Sequence, residues 1–299
     1  MGTVFSIVAG LAVGALIGLW HGYWIAYRGV SALIVTLGSM MIFKGLLIGV
    51  TGGATIGPMR PAFKFIGQGY LPRVLLKDGT VNDSSLALGG LVIALFVFSS
   101  LRDRAARKRY GFPVLSFPLF MIRLACLSGL IALAFGILAG YMGVPIAVIL
   151  VMALAVLFNF LARSTTFGRR VFAIGGNAEA ASLSGIDIRK HVLVVYVIMG
   201  VMTAVAGIIF TARLNAASAT AGNLFELDAV AAVVIGGTSL AGGEGTIAGA
   251  LVGALVMASL DNGMRLMDMD VTWQYFLKGL LLVFAVWVDT MTRRRNRRA

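Results

Sequence analysis

The sequence predicts an all-α protein, a polytopic transmembrane helical bundle with about eight to nine membrane segments. Of its 299 residues, 59% are hydrophobic and only 12% are charged, and the mean hydropathy is +0.95. Soluble domains carry about 25% charged residues, so this chain has roughly half the usual complement. The runs at 30–50, 119–141, 192–212 and 273–290 exceed the ~18 apolar residues that a membrane-spanning helix needs. A water-soluble fold could not hide that much apolar surface, whereas lipid accepts it.

Polar loops between the apolar runs give the order of the segments. The predicted spans cover, in chain order, residues 4–20, 30–50, 86–101, 119–141, 143–161, 192–212 and 273–290. Residues 51–85 are polar and contain three prolines and several glycines, so this stretch is predicted to be irregular. Two glycine-rich segments, 224–240 and 244–260, could be full spans or shorter half-helices, and the sequence does not decide between them.

The formal net charge is +13, and the positions of the basic residues favour a membrane topology over nucleic-acid binding. Fifteen of the 25 lysines and arginines lie in three blocks, 102–109, 163–190 and 293–298, each beside an apolar span. Cytoplasmic loops carry such an excess, and anionic lipid or a partner protein could share the charge. With these blocks inside, loop 51–85 and residue 1 are predicted to lie outside. An outside amino terminus without a cleavable signal predicts that upstream sequence is missing.

Small residues recur at every fourth position in two segments. The positions are Gly10, Gly14, Gly18 and Gly22 in the first, and Gly245, Gly249 and Gly253 in the second. This spacing lines one helix face with hydrogen-sized side chains, so that a neighbouring backbone can approach closely. The stripes are open to two interpretations, a sliding or dimer-forming surface and static internal packing.

Ionisable residues within apolar segments are candidates for function, because each costs about 2.5–3.5 kcal/mol at a helix centre on insertion scales. Glu226 and Asp228 stand at the mouth of a segment, where they could line a substrate path or simply be solvated at the boundary. Lys44, Arg123 and Lys278 lie close enough to span ends for snorkelling to explain them. We find no catalytic set of side chains and no metal-ligand cluster, so neither catalysis nor a cofactor is predicted.

A glycine-rich stretch, 236–245, has the composition of a phosphate-binding loop but not its chemistry. It reads Gly-Gly-Thr-Ser-Leu-Ala-Gly-Gly-Glu-Gly and lacks the Lys-Ser/Thr ending that holds phosphate and magnesium. It also lies between membrane segments. Any ATPase is therefore predicted to be a separate chain.

Two stretches go beyond generic membrane chemistry. The first, 173–186, reads Ala-Ile-Gly-Gly-Asn-Ala-Glu-Ala-Ala-Ser-Leu-Ser-Gly-Ile, and the second, 220–246, contains Asn-Leu-Phe-Glu-Leu-Asp and the glycine-rich stretch. With the run 31–45 they resemble the permease subunits of the ribose/xylose/arabinose/galactose class of ABC importers, over nearly the whole chain. Segments 102–112 and 260–265 are most similar to the xylose-type members. A Gly-x-Asp-Leu-Ser-Val-Gly-like motif, which family members usually carry in further amino-terminal spans, is not found here.

The resemblance implies a single permease domain over 1–299 in the bacterial cytoplasmic (inner) membrane. It implies a homodimer with a second permease copy, ABC ATPase subunits beneath it and a periplasmic sugar-binding protein above it. The expected function is import of a monosaccharide, D-xylose being the expected sugar, by alternating access. Two alternatives stay open, an ion-coupled secondary transporter and a truncated, non-transporting membrane scaffold.

The resemblance also implies two groups of site residues. A cytoplasmic coupling segment, 163–191, is expected to seat in the ATPase. Its candidate contact residues are Gly175, Gly176, Asn177, Glu179, Ala180, Ser184 and Gly185. The candidate residues of the translocation path are Thr36, Asn223, Glu226, Asp228 and Asn262.

Overall fold

The computed structural model describes residues 2–74, 82–113 and 116–296, and within those ranges the chain forms helices and no strand. The helices are α1 (Thr3–Ala26), α2 (Ala32–Thr51), α3 (Pro61–Gln68), α4 (Asp83–Arg109), α5 (Phe117–Gly140), α6 (Ile146–Ser164), α7 (Thr166–Gly176), α8 (Ala178–Leu183), α9 (Ile188–Leu214), α10 (Phe225–Ile235), α11 (Ile247–Leu266) and α12 (Val271–Asn296). The predicted all-α class is confirmed.

Seven of these helices, α1, α2, α4, α5, α6, α9 and α11, are long and apolar enough to cross a membrane. The apolar part of α12, Val271–Trp287, is shorter. Helix α10 has eleven residues, which corresponds to about 16 Å, well short of the ~30 Å hydrocarbon core. The segment 224–240 is therefore a half-helix, whereas 244–260 belongs to a helix of full length. With α10 and α12 the count agrees with the predicted eight to nine membrane segments.

The polar stretches contain more helix than the sequence predicted. Residues 51–85 include the short helix α3, which begins at a proline, a residue favoured in the first turn of a helix. The basic block 102–109 is the end of α4, and the block 163–190 contains α7 and α8. In the block 293–298, the side chains and residues 297–298 lie outside the described part of the chain.

The chain divides into two compact units. One consists of Met1–Met59 with Val151–Ala299, and the other of Arg60–Leu150. Whether 1–299 acts as a single permease domain stays a prediction.

In the first unit, α1 packs along α9 through its glycine face. Gly14, Gly18 and Gly22 are buried. A Cβ at Gly14 would lie 2.6 Å from the Cβ of Ala204, and one at Gly18 would lie 2.8 Å from the Cα of Val197. Real Cβ atoms do not approach that closely, so the two backbones meet only because the side chains are absent. Of the two interpretations of this stripe, internal packing is the one that the structure bears out.

The second stripe packs α11 against α10. Gly249 contacts the carbonyl of Gly236, and Gly253 contacts the carbonyl of Ala232. Gly245 lies before the helix and packs on Thr238. The half-helix is thus held by backbone contact with a helix of full length.

In the second unit, a buried polar cluster joins the start of α4 to the end of α5. Asn82 caps α4 by accepting from Ser85 N (3.0 Å), and its own N–H donates to the Ala139 carbonyl (2.9 Å). The Ser85 hydroxyl accepts from Val144 N (2.9 Å). Asn82 and Ser85 are 1% and 0% exposed, so these hydrogen bonds satisfy groups that would be costly to bury alone. The two helices therefore run antiparallel.

We predict that Gly14→Leu destabilises the fold by about 2 kcal/mol or more, because a branched side chain must separate α1 from α9. Gly45→Leu in α2 is the matched control, since no atom lies within 4 Å of a Cβ built there. The measurement is the thermal unfolding midpoint of the purified protein in detergent. Equal midpoints for the two variants would contradict the packing role of Gly14.

Candidate functional site

The half-helix α10 is the end of a broken membrane segment that begins with an irregular stretch, 215–224. Near the end of α2, Ile56 and Ala217 exchange two backbone hydrogen bonds of 2.9 and 2.8 Å. Further along, the Asn223 side-chain oxygen lies 3.4 Å from Lys44 Nζ. Lys44 precedes the last residue of α2 by seven positions, which is roughly 10 Å along the helix axis. The stretch therefore runs inward beside α2 before α10 begins.

The backbone at the start of α10 is strained. Leu224, the residue that precedes the helix, has φ +65° and makes no side-chain cap. A left-handed conformation costs a residue with a Cβ about 1–2 kcal/mol. Such strain persists only where the surrounding structure determines it, and it is concentrated at functional sites. The conformation of Leu224 turns the irregular stretch into the half-helix within one residue.

Three ionised side chains meet where α10, α11 and α12 converge. Lys278 Nζ lies 2.8 Å from Asp228 Oδ2 and 2.9 Å from Asp261 Oδ1. The three side chains are 23–27% exposed. Two carboxylates and one ammonium leave a net charge of −1 in a largely apolar bundle. We call Asp228, Asp261 and Lys278 the charge triad.

The charge triad corrects the expectation for Lys278. Snorkelling to a membrane surface was predicted for this residue, whereas its ammonium bridges two carboxylates. Asp261 was not among the predicted site residues at all. In the sequence, Lys278 is 17 residues from Asp261 and 50 residues from Asp228. Only the folded chain brings the three side chains together.

The other predicted path residues are distributed around this site. Glu226 is exposed in the first turn of α10 and has no hydrogen bond or ion pair within the described ranges. Asn262 is exposed beside Asp261 on α11. Thr36 is the outlier. It lies on α2, and its hydroxyl donates to the Ala32 carbonyl of the same helix (2.9 Å).

The predicted coupling segment forms two short helices joined at one residue. Thr165 caps α7 by accepting from Gly168 N (3.2 Å), and Asn177 caps α8 by accepting from Ala180 N (3.0 Å). After α8, the Ser184 hydroxyl donates back to the Ala180 carbonyl (2.9 Å), and Gly185 adopts φ +79°. These local hydrogen bonds fix the ends of the two helices.

The outer face of α8 is exposed, and its inner face carries Ala181, which is 4% exposed. Gly176, Asn177, Glu179, Ala180, Ser184 and Gly185 are all exposed. Leu183 is 86% exposed, and sequence reasoning missed it. The signal in the sequence was a single leucine among small and polar residues, which could have indicated an exposed apolar contact.

The carboxyl side of the segment is also capped. Asp187 accepts from Lys190 N (3.2 Å) at the start of α9, and its carboxylate lies 3.3 Å from Lys190 Nζ. The backbone hydrogen bond from Lys190, followed by its side-chain hydrogen bond and charge, lowers the pKa of Asp187. Asp187 is therefore ionised, as a cap next to basic residues requires.

Gly175 differs from its neighbours because it faces the interior. It packs against the backbone N of Gly243, and a Cβ at Gly242 would lie 2.8 Å from the Gly175 carbonyl oxygen. Gly242 and Gly243 belong to the loop 236–246 that follows α10, and both have positive φ. The predicted coupling segment thus contacts the loop that leads directly from the half-helix.

Comparison with known proteins identifies the family. The family described as "Branched-chain amino acid transport system / permease component" matches residues 1–286. The xylose transport system permease protein XylH of Escherichia coli K12 is 45% identical over 291 residues, covering 97% of this chain and 72% of that protein. Its namesake from Haemophilus influenzae is 42% identical over 97% of this chain and 75% of that protein.

More distant sugar permeases also match. The ribose import permease protein RbsC of Bacillus subtilis is 44% identical over 150 residues, covering 50% of this chain and 46% of that protein. No solved structure matches the chain. With seven long apolar helices and matches of this extent, the chain is a multi-pass protein of the bacterial inner membrane and is not itself catalytic. It belongs to the family of ABC transporter permease components whose description reads "Branched-chain amino acid transport system / permease component".

Proposed function

We propose that this chain is the membrane-spanning permease subunit of an ATP-driven importer for a monosaccharide, with D-xylose as substrate. The observation that carries the proposal is the 45% identity, over 97% of the chain, to a protein named a xylose transport system permease. ATP hydrolysis belongs to separate ABC ATPase subunits, a periplasmic sugar-binding protein delivers the sugar, and two permease copies form the path.

The broken segment is the proposed sugar path. A sugar entering lipid must exchange the hydrogen bonds of its hydroxyl groups with water for hydrogen bonds with the protein. The start of α10 offers an exposed amide at Asn223, an exposed carboxylate at Glu226 and the Lys44 ammonium. Discontinuous helices place polar groups at binding sites in transporters for the same reason. Thr36 and Asn262 are proposed to extend the path along α2 and α11.

The charge triad has a structural role in this proposal, and it removes Asp228 and Asp261, though not Glu226, from the candidates for ion coupling. An ion-coupled transporter needs a carboxylate that is free to bind and release its ion. Asp228 is instead bound to Lys278 at 2.8 Å, as is Asp261 at 2.9 Å. The triad holds the outer end of α10 against α11 and α12, so that Glu226 and Asn223 keep their positions beside α2.

The coupling segment is proposed to contact the ATPase through α8. Its exposed face combines the Glu179 carboxylate with the apolar side chain of Leu183. A short capped helix presenting one charge and one apolar group suits a groove on a partner protein. Gly175 carries the contact onward to the loop after α10.

The transport proposal is tested in proteoliposomes that contain the permease, its ATPase and its sugar-binding protein. We expect uptake of labelled D-xylose that requires internal ATP and persists when the proton and sodium gradients are collapsed. Uptake that follows an ion gradient without ATP would establish the ion-coupled alternative. Absence of uptake of any pentose or hexose, in a complex that assembles and hydrolyses ATP, would favour the scaffold.

We predict that Lys278→Met lowers the free energy of unfolding by about 2 kcal/mol or more, because it leaves two carboxylates unpaired. This expected loss of stability is smaller than the loss for a fully buried ion pair, since each side chain is about one quarter exposed. Lys44→Met is the matched control, because within the described ranges Lys44 hydrogen-bonds to the neutral Asn223 and to no carboxylate, and a change within about 0.5 kcal/mol is expected. Unfolding in detergent is the measurement, and equal losses for the two lysines would rule out the triad's structural role.

A further inference from the structure

The end of α4 and the start of α5 line an open cavity of about 290 Å³ that the transport function does not use. It lies within the second unit, where the basic end of α4 passes the first turns of α5. One part of its wall is apolar and includes Phe96, Phe120, Leu124 and Leu127. The other part carries three arginines, Arg104, Arg107 and Arg123, and one aspartate, Asp103.

The charge of this cavity is unbalanced. Three guanidinium groups and one carboxylate leave a net charge of +2, and no salt bridge joins them in the described part of the chain. Arg107 and Arg123 are exposed. Like charges gathered on facing helices repel one another, so an anion bound between them would stabilise the arrangement.

Arg104 shows where such an anion would bind. Its guanidinium carbon lies 4.5 Å from the centroid of the Phe120 ring and 5.6 Å from that of Phe117. Its Nη1 atom is buried, and no described residue accepts a hydrogen bond from it. A buried donor without an acceptor costs about 1–3 kcal/mol, more when charged. The aromatic rings fix the plane of the guanidinium and leave this donor for a ligand.

The shape of the cavity identifies the chemical class of the ligand. Phe96 precedes the basic block of α4 on the apolar side, and Leu124 and Leu127 follow Arg123 along α5. The lining of the cavity therefore changes from guanidinium groups at one end to hydrocarbon side chains at the other, over the length of a few helix turns. A phosphodiester with two acyl chains has the same gradation, and arginine binds phosphate through paired hydrogen bonds. A free anion would leave the apolar wall unused.

We propose that this cavity binds the phosphate headgroup of an anionic phospholipid from the cytoplasmic leaflet, with its acyl chains along the apolar wall. The block 102–109 marks that end of α4 as the cytoplasmic end, and the cytoplasmic leaflet attracts basic juxtamembrane residues. The bound lipid supplies the acceptor that Arg104 lacks and joins α4 to α5 at the end opposite the buried Asn82 cluster.

The test is phospholipid retention by the purified permease, measured by native mass spectrometry against added phosphatidylglycerol, phosphatidylcholine of the same acyl chains, and inorganic phosphate. We expect tight binding of phosphatidylglycerol alone. Each arginine replaced by glutamine should weaken it about fivefold, so that Arg104→Gln/Arg107→Gln/Arg123→Gln loses about a hundredfold. Because the triple variant could unfold, Arg123→Gln alone provides the fivefold test in a chain with one change.

Arg109→Gln is the matched control, since it removes one guanidinium group from the basic end of α4 but outside the cavity, and no more than about a twofold change is expected. A loss equal to that of Arg123→Gln would show only a diffuse charge effect and overturn the site. Equal binding of phosphatidylcholine would reduce the cavity to an apolar groove. Displacement of the lipid by millimolar inorganic phosphate would replace the phospholipid site with a site for a free anion.

Discussion

Close approach of one backbone to another at glycine is the constraint on which this structure depends. Lipid is as apolar as the side chains of the helices, so burial of leucine or valine provides little drive for helix association. The first unit instead brings backbones into contact at three places. Helix α9 packs on Gly14 and Gly18 of α1, and α10 packs on Gly249 and Gly253 of α11. The loop after α10 packs on Gly175. A single methyl group at most of these positions would overlap a neighbouring backbone.

These contacts form a continuous connection from the proposed coupling segment to the proposed sugar path. Segment 163–191 presents α8 outward and places Gly175 against Gly243. The loop 236–246 leads from that contact into α10, whose other end is held by Lys278. A displacement of α8 would therefore reach Asn223 and Glu226 through one glycine contact and one half-helix of eleven residues. Coupling between distant sites requires a physical element whose arrangement both sites influence, and we propose the loop 236–246 with α10 as that element.

Much of this architecture could be predicted from the sequence, because a bilayer imposes length and polarity on each span. The runs of apolar residues predicted the helices, and the four-residue spacing of glycine predicted close packing. The spacing did not identify the partner helices, because it describes one face of one helix. Lys278 was misjudged for the same reason. Its distance from a span end was visible, whereas its two carboxylates come from other helices.

The half-helix and the buried cluster in the second unit show a second limit. Segment 224–240 has the composition of a full span, but the turn at Gly236 and Gly237 ends α10 at Ile235. Asn82 is polar and adjoins a span, yet it is 1% exposed because the end of α5 and the loop after it cover it. Both features depend on contacts between elements far apart in the chain. The coupling role of segment 163–191 stays a prediction. Most of its candidate residues are exposed, but Leu183 was missed and Gly175 lies against the Gly243 backbone.

We propose that the Gly175–Gly243 contact transmits motion between the ATPase and α10. Gly175→Ala places a methyl group against the Gly243 backbone, whereas Gly207→Ala, in α9 and outside the proposed sites, places one in open space. The measurement is xylose uptake per ATP hydrolysed, in reconstituted complexes with both ATPase subunits bound. We predict that Gly175→Ala lowers this ratio roughly tenfold and that Gly207→Ala leaves it unchanged. Unchanged ratios for both variants, or equal losses, would contradict the account.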